Sequence, residues 1–299
     1  MIGLDSKPIR SVLITDVDNT LFDWVHVWHA AFSAMLAELL RLSRLNEPVL
    51  LAEIRKVHQR AGTSEYSFLI GELEVLRGPA GDTPVLDFYA PAIAAFRAAR
   101  QRTLEFYPGV LTTLEELNRR GTLLICYTES LAYYSQYRFR KLGLDRLIDY
   151  LYSPPDHDLP DGLSREEIRF HDAAHYELAR TEHRFTPPGE FKPNPDILRS
   201  ILHSLNVPAE QAVYIGDSPH KDIWMAQQAG VTDALAAYGA AQCQESYALL
   251  RKVSHWPETD VVRETNQLGN PSIVPTYRLD RFDQLLERVE FTAFEGARL

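Results

Sequence analysis

The chain has 299 residues, of which 45% are hydrophobic and 24% are charged, and its formal net charge is -10. The length predicts two domains or one domain with a large insertion, because typical domains hold about 100–150 residues. The acidic balance disfavours a nucleic-acid polymer as partner, and no apolar run is long enough to cross a bilayer. Since the first ten residues show no secretory signal, we expect a soluble protein of the cytoplasm.

The first predicted strand is Ser11–Asp16, an apolar, β-branched run that is typical of a central strand covered on both faces. Two carboxylates, Asp16 and Asp18, stand at its carboxyl end, where open α/β sheets bind their ligands. Asp16 is predicted to be the nucleophile of a phosphoryl transfer, and Asp18 to act as acid and then base. The alternative for Asp18, Asn19 and Thr20 is a simple helix-capping turn.

A helical insertion is predicted over residues 22–106, where strand patterns vanish. The predicted helices are 25–45, 48–60, 64–77 and 85–104. Apolar residues at helical spacing are expected to form the core of this bundle rather than a substrate site: Trp24, Trp28, Phe32 and Met35. The break after the second helix is a candidate substrate-facing loop, which makes Arg60, Ser64 and Tyr66 candidate substrate-binding residues. For Arg60 the alternative is a solvated helix surface.

Two further strands are predicted at Thr122–Thr128 and Ile148–Ser153. Cys126 lies inside the first of them and is expected to be a small buried residue, not a reactive thiol or half of a disulfide. Thr128 ends the same strand, where its hydroxyl and the amides that follow could hold phosphoryl oxygens. The alternative is a hydroxyl that bonds its own backbone.

An irregular region is predicted over residues 154–190, with one helix at Arg165–Thr181. His171, His175 and His183 lie in or beside that helix. A solvated helix surface is favoured for these histidines over a zinc site, because no cysteine or closely spaced fourth ligand accompanies them.

Lys192 lies in a proline-rich segment just before a helix predicted over residues 196–205. Its flanking prolines favour a fixed backbone, so its ammonium could offset negative charge on the nucleophile and the phosphate. The alternative is a solvated surface lysine.

The next strand, Ala212–Asp217, places a second acid at the carboxyl edge of the sheet, and Asp222 follows it. Mg2+ prefers oxygen ligands such as these. We therefore expect Asp16 and Asp217 to bind Mg2+ through their carboxylates and Asp18 through its main-chain carbonyl, with Asp222 in an outer role. A strand-to-helix turn is the alternative for this segment.

The remaining elements are a weak strand at 234–238, a helix at 244–253, a short strand at 273–277 and a closing helix at 282–289. Because strands alternate with helices, the chain is predicted to be an α/β protein with a doubly wound parallel sheet.

These pieces together resemble the haloacid dehalogenase superfamily, whose four motifs occur here in order. They are DVDNTL at 16–21, LLICYT ending at Thr128, the Lys192–Pro193 pair, and GDSPHKD at 216–222. The resemblance implies a Rossmann-like core formed by residues 1–21 and 107–299, a helical cap formed by 22–106, Mg2+ and an aspartyl-phosphate intermediate. Asn19, Glu129 and Ser218 adjoin the motifs and are further candidate substrate contacts.

An acid at the position of Asp18 favours phosphate-ester chemistry, since family dehalogenases and phosphonate hydrolases generally lack it. The predicted function is thus a magnesium-dependent phosphatase of a small phosphorylated metabolite. A phosphomutase is the alternative within enzymes, and a noncatalytic binding or regulatory protein is the alternative outside them. The joint presence of Asp16, Asp18, Lys192 and Asp217 disfavours the last of these.

Overall fold

A computed structural model describes residues 7–160, 162, 164, 172–240, 245–257 and 273–296. The chain divides into two compact units. Unit 1 comprises the described residues of Met1–Asp23, Glu105–Ala240 and Pro271–Leu299, and unit 2 comprises those of Trp24–Leu104 and Ala241–Asn270. Within the described ranges, no helix combines the length and the apolar character that a membrane span requires. All the catalytic and metal-binding residues predicted above belong to unit 1.

Unit 1 is built on parallel strands. In chain order they are β1 (Ile9–Arg10), β2 (Val12–Thr15), β3 (Leu123–Tyr127), β4 (Tyr150–Ser153), β5 (Glu182–Phe185), β6 (Ala212–Gly216), β7 (Thr232–Ala236), β8 (Tyr277–Leu279) and β9 (Glu290–Phe291). Seven of them form one sheet in the order β5-β4-β3-β2-β6-β7-β8, and β1 pairs with β9 apart from it. The predicted doubly wound, Rossmann-like α/β fold is thereby confirmed.

Helices connect these strands and build unit 2. They are α1 (Trp24–Ser43), α2 (Glu47–Ala61), α3 (Leu69–Glu72), α4 (Arg77–Ala80), α5 (Val85–Phe88), α6 (Ala90–Thr103), α7 (Val110–Arg120), α8 (Ala132–Leu142), α9 (Pro195–Ser204), α10 (Met225–Gln228), α11 (Tyr247–Val253) and α12 (Leu285–Arg288). A π-helical segment, Pro219–Trp224, precedes α10.

The register of the sheet positions the site. Thr15 at the end of β2 pairs with Cys126 of β3 on one side and with Ile215 of β6 on the other. All residues of these three strands are buried, including Cys126 as expected. Because the strands are parallel and in register, the residues that follow them meet at one edge of the sheet.

Unit 2 has a helical core to which the predicted aromatic group contributes. Trp28, Phe32 and Met35 are buried in it, and Trp24 packs against it partly exposed. The Trp28 and Phe32 rings stack with their centroids 4.6 Å apart. The expectation that this group forms bundle core is confirmed.

Two helix predictions in unit 2 were wrong. The predicted helix at 64–77 is instead a turn, α3, a 3-10 helix at Glu74–Leu76 and the start of α4, broken at the extended residue Leu73. Leu69, Leu73 and Leu76 are buried at the spacing of one helix face, so their pattern did not distinguish a continuous helix from this series of short turns. The predicted helix at 85–104 divides at Tyr89 into α5 and α6, since Pro91 cannot donate a backbone hydrogen bond.

Unit 2 also contains a segment from beyond β7. Tyr247, Leu250 and Val253 of α11 are buried in its core, and the main-chain oxygen of Val253 lies 2.8 Å from His58 Nδ1. Sequence analysis placed this segment in the 107–299 domain, whereas its contacts group it with α1 and α2. That units 1 and 2 act as catalytic core and cap stays a prediction.

The region before α9 also differs from expectation. Residues 165–171 of the predicted helix, with His171, lie outside the described residues, and 172–181 contain only a 3-10 helix at Ala173–His175. His183 lies in the unpredicted strand β5, where Ser153 Oγ is 2.8 Å and Gln136 Nε2 is 3.2 Å from its ring nitrogens. A solvated helix surface is therefore wrong for His183, whereas His175 is exposed at the end of the short 3-10 helix. Strand β5 is polar and, among the strands of the described residues, pairs with β4 alone, so no local apolar pattern marks it.

Smaller differences occur at the carboxyl end of the chain. The strand predicted at 273–277 is β8 (Tyr277–Leu279), and the closing helix divides into a 3-10 helix at Phe282–Gln284 and α12. Helix α11 begins at Tyr247 rather than at 244.

Candidate active site

Asp16 and Lys192 form the centre of the site. Asp16 follows β2 directly and is 7% exposed, and Lys192, which precedes α9, is 6% exposed. Lys192 Nζ donates to Asp16 Oδ1 at 2.6 Å and to Asp222 Oδ1 at 3.0 Å. Thr20 Oγ1 donates to the other Asp16 oxygen at 3.2 Å. The structure thus brings the predicted nucleophile and the predicted cation into direct contact.

Asp18 is held by the loop that follows β3. Thr128 Oγ1 donates to Asp18 Oδ2 at 3.2 Å, and Ser130 Oγ donates to the same oxygen at 2.6 Å. Arg138 of α8 contributes an ion pair, with Nη1 3.1 Å from Asp18 Oδ1. Ser130 and Arg138 belong to no predicted motif, and their contacts with Asp18 span 112 and 120 residues of sequence.

Asp16, Asp217 and Asp222 can place one carboxylate oxygen each within 4.8 Å of one another. Both carboxylate oxygens of Asp222 accept hydrogen bonds. Tyr214 OH and Lys192 Nζ donate to Oδ1, and the Ser218 amide donates to Oδ2 at 3.0 Å. For Asp217, no donor side chain is found within the described residues. These three acids meet the preference of Mg2+ for hard oxygen ligands, and Asp217 has the more available carboxylate.

Burial raises the pKa of Asp16 to about 7, with additional upward effects of Asp222 and Asp18 and an opposing effect of Lys192. Burial, followed by Asp222 and Asp16, also raises the pKa of Asp217 well above its usual value. Both carboxylates therefore lack enough nearby positive charge to stay ionised easily at neutral pH. A divalent cation would supply that charge, which is a second reason that the site fits one.

The charges around the site support the same conclusion. With every group counted in its ionised form, three cations face five carboxylates in the contacts described, which leaves a formal excess of two negative charges. The carboxylates are Asp16, Asp18, Glu129, Asp217 and Asp222, and the cations are Arg138, Lys192 and Lys221.

Glu129 and Ser218, both predicted substrate contacts, bind neighbouring protein groups. Glu129 Oε1 accepts a hydrogen bond from the Lys192 amide at 3.1 Å, and Oε2 accepts one from Lys221 Nζ at 2.6 Å. Ser218 caps the π-helical segment by accepting from the Lys221 amide at 3.2 Å. The loops after β3 and β6 and the segment before α9 are thereby connected.

Asn19 has a left-handed backbone with φ 57°, a conformation that asparagine tolerates better than most residues. Its main-chain oxygen faces Gly239, at which a Cβ would lie 1.8 Å from that oxygen and 3.0 Å from Asp217 Cβ. Only glycine fits there, so Gly239 allows the loops after β2 and β6 to approach. Sequence analysis missed this residue because a glycine after a weak strand carries no distinctive signal.

In unit 2, the three predicted substrate-binding residues make contacts of their own. Arg60 and Tyr66 both donate to the carboxylate of Glu72. Ser64 Oγ lies 3.0 Å from His255 Nδ1, and the Ser64 main-chain oxygen accepts from Trp28 Nε1 at 3.0 Å. The loop after α2 is therefore held by hydrogen bonds within its own unit.

Comparisons with known proteins point to one family. A model of the haloacid dehalogenase-like hydrolase family matches residues 11–230, a span that includes all four motifs. The chain is 26% identical over 240 residues to glyceraldehyde 3-phosphate phosphatase from Methanopyrus kandleri, covering 79% of this chain and 88% of that protein. It also resembles the structure of a HAD phosphatase from Thermococcus onnurineus, with a TM-score of 0.50 and 15% identity over 95% of this chain and 100% of the other. The structural likeness concerns the fold.

Proposed function

The chain is an enzyme of the haloacid dehalogenase-like hydrolase family, and we propose that it is a magnesium-dependent phosphatase of a small phosphorylated metabolite. The observation that carries this proposal is the buried contact of 2.6 Å between Asp16 and Lys192, with Asp18 held two residues away by Thr128 and Ser130. The close approach of a candidate nucleophile, a candidate cation and a candidate acid-base group supports the proposal. The phosphatase relative from M. kandleri supports the same reaction class.

In the proposed reaction, a carboxylate oxygen of Asp16 forms a bond to phosphorus while the bond from phosphorus to the ester oxygen breaks. Asp18 donates a proton to the departing oxygen and then accepts one from the water that hydrolyses the aspartyl-phosphate. This second step releases inorganic phosphate and restores Asp16. Lys192 offsets negative charge on Asp16 and on the phosphoryl group.

The proposed metal ligands are the carboxylates of Asp16 and Asp217 and the main-chain carbonyl of Asp18. Asp222 has an outer role in this proposal, because its oxygens already accept hydrogen bonds from Lys192, Tyr214 and Ser218. When bound, Mg2+ would neutralise charge on the phosphoryl oxygens.

The proposed substrate is a small phosphate ester that binds beside Asn19, Thr128 and Ser218. Because the curated relative is named for glyceraldehyde 3-phosphate, a three-carbon sugar phosphate belongs among the first compounds to test. Residues 22–106 are proposed to act as the cap, with Arg60, Ser64 and Tyr66 as candidate substrate contacts.

The test is release of inorganic phosphate from glyceraldehyde 3-phosphate, other sugar phosphates, phosphoglycolate, nucleoside monophosphates and an aryl phosphate, each with and without Mg2+. We expect release that depends on Mg2+ and is abolished in Asp16→Asn. Asp196→Asn is the matched control, because that side chain is 87% exposed and pairs only with Arg199 among the described contacts. Turnover by Asp16→Asn would exclude Asp16 as the nucleophile. An isomeric ester in place of phosphate would indicate a mutase.

A further inference from the structure

Arg138 is a buried cation that the proposed reaction does not use. It lies on α8 and is 3% exposed. A buried guanidinium is unfavourable unless it is paired, so its partners indicate why it is there.

Its polar partners include Asp18 and Ser130, the residue that holds Asp18. Arg138 Nη1 lies 3.1 Å from Asp18 Oδ1 and donates to Ser130 Oγ at 2.7 Å. Ser130 Oγ in turn donates to Asp18 Oδ2 at 2.6 Å. The guanidinium therefore contacts one carboxylate oxygen directly and reaches the other through a hydroxyl, which constrains the rotation of the carboxyl group about its own axis.

Arg138 is itself held in place. Its guanidinium carbon lies 5.4 Å from the centroid of the Phe22 ring and 5.9 Å from that of Tyr134, so aromatic rings limit its movement. Ser135 Oγ, also on α8, donates to the main-chain oxygen of Ser130 at 2.9 Å and fixes the loop to the same helix. Asp18 is thus supported by α8 and by the loop that is hydrogen-bonded to it.

We propose that Arg138 is a positioning residue for Asp18, acting directly and through Ser130. It orients the carboxyl group that exchanges a proton with the leaving oxygen and then with water. This inference rests on the acid-base role of Asp18 in the proposed function. A fixed orientation matters because proton transfer in the transition state requires the donor to be within hydrogen-bond reach of the reacting oxygen.

The test compares Arg138→Gln with wild type on two esters in the full-length protein with Mg2+. An alkyl phosphate has a poor leaving group that needs a proton, whereas 4-nitrophenyl phosphate has a leaving group that departs unprotonated. We expect kcat/KM, which reports the steps up to formation of the aspartyl-phosphate, to fall on the order of 100-fold on the alkyl ester and by less than about threefold on the aryl ester. By contrast, kcat should fall on both esters, because both share the hydrolysis of the aspartyl-phosphate, in which Asp18 is the base. Arg138→Lys, which keeps the charge, should recover part of the loss.

Two controls separate positioning from a structural role. Arg140→Gln removes the same charge two residues away on α8, where Nη1 donates to the Tyr176 main-chain oxygen at 2.5 Å, and should leave both rates unchanged. In an Asp18→Asn background, Arg138→Gln should have no further effect on the alkyl ester, because the group that it positions is gone.

Equal losses of kcat/KM on the two esters, or losses that add to those of Asp18→Asn, would overturn the positioning role while leaving the proposed function intact. A wild-type enzyme that releases phosphate from neither these esters nor the metabolite panel would contradict both. If Arg138→Gln does not fold, the same comparison with Arg138→Lys decides, since an ammonium without the fork geometry of the guanidinium should still lower kcat/KM on the alkyl ester more than on the aryl ester.

Discussion

Lys192→Met removes the cation at the centre of the site while preserving a long, unbranched side chain. Lys192 Nζ lies 2.6 Å from Asp16 Oδ1 and 3.0 Å from Asp222 Oδ1, and its side chain is 2% exposed. Removing one partner of a buried ion pair costs about 3–5 kcal/mol, because the remaining charge stays buried without compensation. We expect a loss of this size in the free energy of unfolding of unit 1 at pH 8 without metal, and loss of phosphatase activity.

The same variant should be less damaging at low pH. Burial raises the pKa of Asp16 to about 7, so at pH 8 this carboxyl group is mostly ionised and at pH 5 it is mostly protonated. Because Lys192 lowers this pKa, its removal raises the pKa further, and at pH 8 the variant must either bury an unpaired Asp16 carboxylate or take up a proton. At pH 5, Asp16 is mostly protonated with or without Lys192, so this part of the cost disappears. The destabilisation should shrink accordingly.

Hydrogen exchange of the β2 and β6 amides in the presence of a chelator measures the stability of unit 1 alone. Lys221→Met is the matched control: its ammonium pairs with Glu129 at 2.6 Å, but its side chain is 47% exposed. Such a surface pair contributes about 0–1 kcal/mol. The reasoning is refuted if the two variants lose equal stability at pH 8, or if the loss in Lys192→Met is the same at both pH values.

Three further predictions concern the metal, a close backbone approach and a buried histidine. Asp217→Asn should weaken Mg2+ binding by roughly tenfold or more in calorimetry as well as in assays; an unchanged binding curve would contradict its ligand role. Gly239→Ala should lower activity and thermal stability, because its Cβ would lie 1.8 Å from the Asn19 main-chain oxygen, while Gly78→Ala, with no atom within 4 Å, should be neutral or stabilising. Burial lowers the pKa of His58 from 6.5 to about 4. Unit 2 should therefore lose up to about 3 kcal/mol as pH falls from 7 to 4, as measured by exchange of the α1 and α2 amides; no loss, or an equal loss in His58→Phe, would contradict this.

Local sequence patterns determined the central strands and the acids that follow them. The runs that become β2, β3 and β6 are apolar throughout because these strands are buried on both faces. A parallel sheet then brings their carboxyl ends to one edge, so the proximity of Asp16, Thr128 and Asp217 could be predicted without coordinates. The aromatic group of α1 was predictable for a similar reason, since its spacing matches one face of a helix.

Tertiary structure alone decided the features that depend on partners distant in sequence. Strand β5 is polar and forms through its pairing with β4. Helix α11 belongs to unit 2 because it is buried against a core that lies far away in sequence: His58 and Val253, which are in contact, are 195 residues apart. The ion pair of Arg138 with Asp18 likewise joins a helix to a strand end. Periodicity reports which face of an element is buried, but it does not report what covers that face or which charge meets another. The amino-acid sequence therefore determined which groups carry the chemistry, and the folded chain decided which groups hold them in place.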